Sequence, residues 1–330
     1  MENNKKNRLL VLGWWADRHI GFFSDLYGRD DVIIHYVEPY PLCWPLKILR
    51  LFHLSGRLFR MGITLPYRYI WFDYGRHIDL SEVSKIICIN GVLDKINYRF
   101  LQNCKAHGIE MNLFLLDSID ASSAIMQGNR KNIFRPIWDH VYSFEPRDVK
   151  KYGLEYLGFC YYSMDKTIKV PSHPKYDLYF SGNTKGGRYE LIHRICQFVT
   201  DNGGIAKFEV QLQNKMEEKK EGIHYNYHWI SYHEVLLGLA ESRCILEIVQ
   251  KNQTGPSLRY FEAVCYNKKL ITNNPYIKDF PYYNPQWMKV ICTANDIDMD
   301  WLVSDEEIDY HYNGDFSPTH LVDFFLGKNN

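Results

Sequence analysis

Apolar residues recur along this chain in short runs, separated by longer stretches with helical spacing. In the first half, 9–12, 32–37, 86–89, 113–116 and 141–144 read as buried strands. Runs of that length, rich in Leu, Ile and Val and bounded by polar or turn residues, fit strands covered on both faces. Between two of them, 94–107 carries helical spacing and stops at Gly108. The rhythm fades from about 158 to 175, where Pro171 and Pro174 stand, and the domain link is placed there. A second alternation follows: strand 177–181, helix 186–201, strand 205–210, helix 231–240, strand 244–249, helix 256–266 and strand 269–272. Ser231 and Glu234 form a capping-box pattern at the start of one of these helices. The expected fold is α/β, with domains over 1–165 and 166–330, each built on a doubly wound parallel sheet. The segment 318–326 reads as a last amphipathic helix, free to pack back on the first domain.

The turn before helix 256–266 carries the most chemistry. Gly255 precedes Pro256, and proline suits the first helical position because its missing N–H would go unpaired there. The amides of Ser257 and Leu258 then lie at the positive end of a helix, a place suited to anions. Arg259 adds a fork that fits phosphate, and Glu262 follows three residues on along the same face. With Thr254, the set reads as a holder for the diphosphate and ribose of one nucleotide. The competing reading is an ordinary helix start with surface charges.

Bulk composition narrows the classes. At 330 residues the chain exceeds the usual single core, and 46% hydrophobic with 15% aromatic residues indicates a packed protein. A formal net charge of zero gives no support to nucleic-acid binding. The eight cysteines form no Cys-x-x-Cys pair and sit mostly in apolar segments, as reduced thiols of a cytoplasmic protein do. The apolar run at 9–12 is too short for a signal sequence, and no segment approaches a membrane span.

Other residues invite a chemical role. The first strand runs into Gly13-Trp14-Trp15-Ala16-Asp17-Arg18-His19, at the strand end where α/β sheets place ligands. Asp17 or His19 could serve there as a general base, or each could be a helix cap or a packed loop residue. Asp298 and Asp300 match an Asp-x-Asp metal pattern, but in a polar segment and not after a central strand. His224, His228 and His233 have no cysteine near them and read as loop or core histidines. No metal site is expected. Residues 39–72 hold Lys47, Arg50, Arg57, Arg60 and Arg68, with no Asp or Glu, among many large apolar residues. They read as a surface for anionic lipid, or as an amphipathic helix whose cations face water.

Two stretches carry a family likeness. Asp177-Leu-Tyr-Phe-Ser-Gly-Asn-Thr-Lys-Gly-Gly-Arg-Tyr-Glu-Leu-Ile resembles the opening of the C-terminal domain of GT-B glycosyltransferases, where a strand ends in Gly and basic residues precede a helix. Residues 250–274, ending Lys-Lys-Leu-Ile-Thr-Asn-Asn, resemble the nucleotide-contacting helix and next strand of that fold, in the form found in bacterial capsule, lipopolysaccharide and exopolysaccharide transferases. The likeness covers the C-terminal half. The paired-glutamate motif of the retaining families is incomplete: Glu262 matches its second member, while Gln253 and Thr254 occupy the loop where the first belongs. The stereochemical outcome stays open.

The resemblance implies GT-B architecture, two Rossmann-like domains facing a central cleft. It implies that Lys185 and Arg188, with Arg259 and the 255–257 amides, neutralise a diphosphate leaving group, and that Glu262 accepts from ribose hydroxyls. It also implies a metal-independent glycosyltransferase with no cofactor, its nucleotide sugar being substrate. The acceptor would be lipid-linked or a saccharide, in bacterial surface polysaccharide synthesis. The expected place is the cytoplasm, peripheral on the inner face of the membrane. A nucleotide-sugar epimerase or polyol-phosphate transferase on the same fold, or a non-catalytic GT-B-like scaffold subunit, remains open. A dehydrogenase is disfavoured, because no Gly-x-Gly-x-x-Gly follows the first strand.

Overall fold

Strand β1 (Arg8–Trp14) has no exposure from Leu9 through Leu12, so both of its faces are covered. That is the condition under which an unbroken apolar run settles into the middle of a parallel sheet. In this computed structural model, residues 7–16, 21–55, 58, 65–120, 130–184, 187–212, 222–226, 228 and 230–328 are described. Their contacts divide the chain into two units, one of 1–163 with 317–330 and one of 164–316.

In the first unit, β1 is joined by β2 (Val32–Pro39), β3 (Phe72–Asp73), β4 (Val83–Ile89), β5 (Glu110–Leu115), β6 (His140–Ser143) and β7 (Glu155–Tyr156). Their order is β3-β2-β1-β4-β5-β6-β7, parallel except for the β2–β3 pair. Its described helices include α1 (Trp44–His53), α2 (Tyr98–Ala106) and α3 (Pro146–Tyr152). Leu101 and Cys104 of α2 pack on Leu10, Leu12, Ile86, Cys88 and Met111 of the sheet. The spacing predicts a helix over 94–107, yet α2 begins at Tyr98. The Asn97 side chain accepts from the Arg99 amide (3.0 Å), and this cap fixes the start. The stop falls as expected, with Gly108 at φ +71°.

The second unit holds β8 (Tyr176–Asn183), β9 (Ala206–Gln211), β10 (Ile223–Asn226), β11 (Ser242–Glu247), β12 (Lys269–Thr272) and β13 (Met288–Val290). All are parallel, in the order β10-β9-β8-β11-β12-β13. Its helices are α4 (Tyr189–Asp201), α5 (Tyr232–Ala240), α6 (Leu258–Cys265) and α7 (Met299–Val303). The capping box at Ser231 and Glu234 opens α5 as the sequence predicts. Ile192, Ile195, Cys196 and Val199 of α4 lie on Leu178, Phe180, Phe208 and Leu246. Each fully buried aliphatic or aromatic side chain of this kind stabilises the fold by about 1.5–3 kcal/mol. The expected α/β class, with two Rossmann-like sheets, is thus present in seven and six strands.

Two lysines stand within this core. Lys268 donates to the carbonyls of Ala240 and Ser242 (2.7 and 2.6 Å), and Lys269 to those of Trp301 and Ser304 (2.5 and 2.8 Å). Burial pulls the Lys268 ammonium down to about 8. Both tie strand ends to neighbouring loops.

The last helix, α8 (Pro318–Phe325), belongs to the first unit. Phe325 meets Tyr142 edge-on, Asp323 accepts from Arg29 (2.6 Å), and Lys328 reaches Asp31 (2.6 Å). Hydrogen bonding from Arg29, opposed by burial and aided by Lys328, holds the Asp31 carboxyl well below the usual carboxylate range. A depressed folded value means a contribution fully present above the unfolded pKa of about 4 and lost as pH falls through the folded one. Acid should therefore loosen this helix, measured as peptic cleavage near the C-terminus during a pH titration below about pH 4. An Asp31→Asn variant with the same acid profile as the wild type would contradict that assignment.

Candidate functional site

In the order β10-β9-β8-β11-β12-β13, the connection from β8 runs to one side and the chain later returns to the other. The reversal lies between β8 and β11, and the crevice outside the carboxyl ends of such a strand pair is where open α/β sheets bind ligands. Asn183 ends β8 and Glu247 ends β11, and the helices α4 and α6 follow them.

Arg188 stands across that reversal. Its Nη1 donates to the carbonyl oxygen of Ile248 (2.8 Å) and its Nη2 to Oδ1 of Asn183. One guanidinium thus bridges the residue that ends β8 and the residue just past β11. Burial lowers its pKa to about 10, which leaves it charged at neutral pH. A fixed cation of this kind, on a sheet's ligand-binding edge, can stabilise a phosphate without reorganising.

The turn before α6 is shaped by residues that the sequence pattern did not single out. Glu247 is buried, and burial raises its pKa against hydrogen bonds from Ser257 and Thr272. Its Oε1 accepts from the Ser257 amide (3.3 Å) and hydroxyl, and its Oε2 from the Thr272 hydroxyl. Oδ1 of Asn273 accepts from the Val249 amide (2.7 Å), and Nδ2 of Asn274 donates to the carbonyls of Thr254 and Gly255 (both 3.3 Å). Thr272, which ends β12, and Asn273 and Asn274 just after it are therefore the mould of the 249–257 loop. The signal for Glu247 was a lone carboxylate closing an apolar strand, because such a group must find partners when buried.

Two expectations for this turn need correction. Helix α6 begins at Leu258, with Ser257 as its cap accepting from the Arg259 amide (3.2 Å), so Pro256 lies outside the helix. The Ser257 amide is taken by Glu247, which leaves the Leu258 amide, with no partner among the described residues, at the helix start. Arg259 and Glu262 lie on one face of α6, as the spacing predicts. They pair with each other, Glu262 is fully buried, and the Tyr232 hydroxyl donates to its Oε1 (2.9 Å). This pair ties α5 to α6.

Of the predicted site residues, Arg188, Thr254, Gly255 and Ser257 gather around the carboxyl ends of β8 and β11, and Arg259 and Glu262 follow in the first two turns of α6. Asp17, His19 and Lys185 lie outside the described residues. Asp298 caps α7 through the Trp301 amide (3.1 Å), and His224 pairs with Glu209 (2.6 Å). No group of His, Cys, Asp and Glu suited to a metal occurs among the described residues.

No family model matches this chain, and no curated protein matches it. Solved structures similar to it include glycosyltransferases. The T4 phage β-glucosyltransferase is 12% identical over 89% of this chain and 87% of that one, with a TM-score of 0.46. An α-glucosyltransferase solved with UDP and a mismatched 13-mer DNA is 12% identical over 81% and 80%, at 0.48. A lipopolysaccharide outer core galactosyltransferase is 12% identical over 98% and 91%, at 0.41.

Proposed function

We propose that this chain is a GT-B glycosyltransferase that takes its sugar from a nucleotide-sugar donor held at the carboxyl ends of β8 and β11. The observation that carries this reading is Arg188, fixed across the strand reversal by the Asn183 side chain and the Ile248 carbonyl. A donor diphosphate there would meet Arg188 and the Leu258 amide. Leaving-group charge would be met by fixed cations and a helix dipole, with no metal required. Tyr232 now gives Glu262 the kind of hydroxyl hydrogen bond that a ribose would offer, so the two could exchange. Lys185 is proposed as a second cation, and Asp17 or His19 as the base that takes the acceptor proton. The acceptor is proposed to be lipid-linked or a saccharide, in bacterial surface polysaccharide assembly on the inner face of the membrane.

The mutual satisfaction of Arg259 and Glu262 also suits a GT-B-like subunit that binds no nucleotide. A thermal-shift panel of UDP, GDP, CMP, dTDP and their sugars separates the two. One base should stand out, because a ligand at a hundred times its Kd stabilises the folded state by about 2.7 kcal/mol. Transfer from that donor should then persist in excess EDTA. A flat panel would support the scaffold reading, and loss in EDTA with rescue by Mg²⁺ would end the metal-free mechanism.

A further inference from the structure

Helix α1 is an amphipathic helix turned outward. At 100° per residue, Leu51, Trp44, Ile48, Phe52 and Leu49 fall within an arc of roughly 160°. An arc of that width normally faces a core. Here none of the helix is buried, and Trp44, Leu51 and Phe52 are 74%, 71% and 61% exposed. The opposite side faces the protein through polar groups. Arg50 donates to the Tyr40 carbonyl (3.0 Å), and the His53 ring lies between the Pro66 carbonyl (2.7 Å) and the Trp71 indole N–H (3.0 Å). Those two contacts require Nε2–H to donate and Nδ1 to accept. Leu42 and Leu54, just outside the two ends, pack on the core of the first unit. The helix is therefore held at both ends with its apolar side presented outward.

We infer that α1 is an in-plane anchor that seats this chain on an anionic lipid surface. The charge pattern selects that occupant. Segment 39–72 carries five basic residues and no acidic one. Arg57 and Arg60 lie outside the described residues, Arg50 is turned to the protein and Arg68 is answered by Asp94 (3.5 Å), while Lys47 is exposed at the border of the apolar arc. A second copy meeting this face through a two-fold axis would bring the Lys47 border against another acid-free surface, whereas acidic headgroups neutralise that lysine. At ten residues, about 15 Å, the helix is far too short to cross a bilayer and fits lying flat at its surface. Trp44 suits that depth, because an indole prefers the boundary between headgroup and acyl chain.

The inference goes beyond the donor reading and stands or falls separately from it. The test is co-sedimentation of the full chain with vesicles of phosphatidylglycerol and phosphatidylcholine, against phosphatidylcholine alone. The wild type should pellet with the acidic vesicles at low salt and be released as salt shortens the screening length. Lys47→Gln should weaken the partition about five-fold. The double change Ile48→Asp and Phe52→Asp, both at exposed positions, should weaken it on the order of a hundred-fold. The melting temperature and nucleotide binding of both variants should match the wild type, which keeps this outcome distinct from loss of the donor site. A wild type that ignores acidic vesicles at low salt, or a double variant that still pellets, would overturn the inference. So would light scattering that shows a dimer dispersed by the double change, because that would assign the face to a second copy.

Discussion

Glu262→Ala should lower the stability of the second unit by about 3–5 kcal/mol, the cost of removing one partner from a buried ion pair. Glu262 has no exposure and answers two groups, the Arg259 guanidinium and the Tyr232 hydroxyl. Its loss takes the buried carboxylate away from the Arg259 guanidinium and removes the bond that ties α5 to α6. Glu262→Gln should cost less, because the amide oxygen still accepts from Tyr232. Arg259→Ala should also cost less, because the remaining carboxyl can take up a proton and so shed its charge. Urea denaturation followed by tryptophan fluorescence reads these differences as shifts in midpoint. An Ala variant with the wild-type midpoint would mean that the pair is hydrated in solution and free for a ligand at no cost to the fold.

That pair illustrates what spacing in a sequence does and does not reveal. A separation of three residues put Arg259 and Glu262 on one side of a helix, and the structure agrees. The same closeness lets them satisfy each other, and no periodicity distinguishes that outcome from two groups aimed at a ligand. Strands were legible because an apolar run buried on both faces has few other solutions, as Leu9 through Leu12 show. Helix starts at 94 and 256 were misplaced because short polar side chains, Asn97 and Ser257, decide them locally. Lys268 and Lys269 were taken only as part of a family phrase, yet they bind carbonyls inside the core. For α1 the mixture of apolar and basic residues was visible at once. Its orientation was not, because a hydrophobic arc has the same period whichever way it faces.

A donor diphosphate is proposed to sit at the reversal between β8 and β11, where Arg188 is fixed. Hydrogen bonds to charged groups contribute about 1.5–3 kcal/mol, so loss of the guanidinium should cut affinity for the diphosphate roughly ten-fold to a hundred-fold. Gln at this position keeps a donor for the Ile248 carbonyl or the Asn183 side chain and removes the charge. The nucleoside, which carries no phosphate, should feel little of the change. The decisive measurement is calorimetric titration of wild type and Arg188→Gln with the selected nucleoside diphosphate and with its nucleoside. A ten-fold or greater loss for the diphosphate alone, in a variant that melts as the wild type does, is the predicted result. Equal diphosphate affinity in the two folded proteins would contradict it and move the donor site away from this strand reversal.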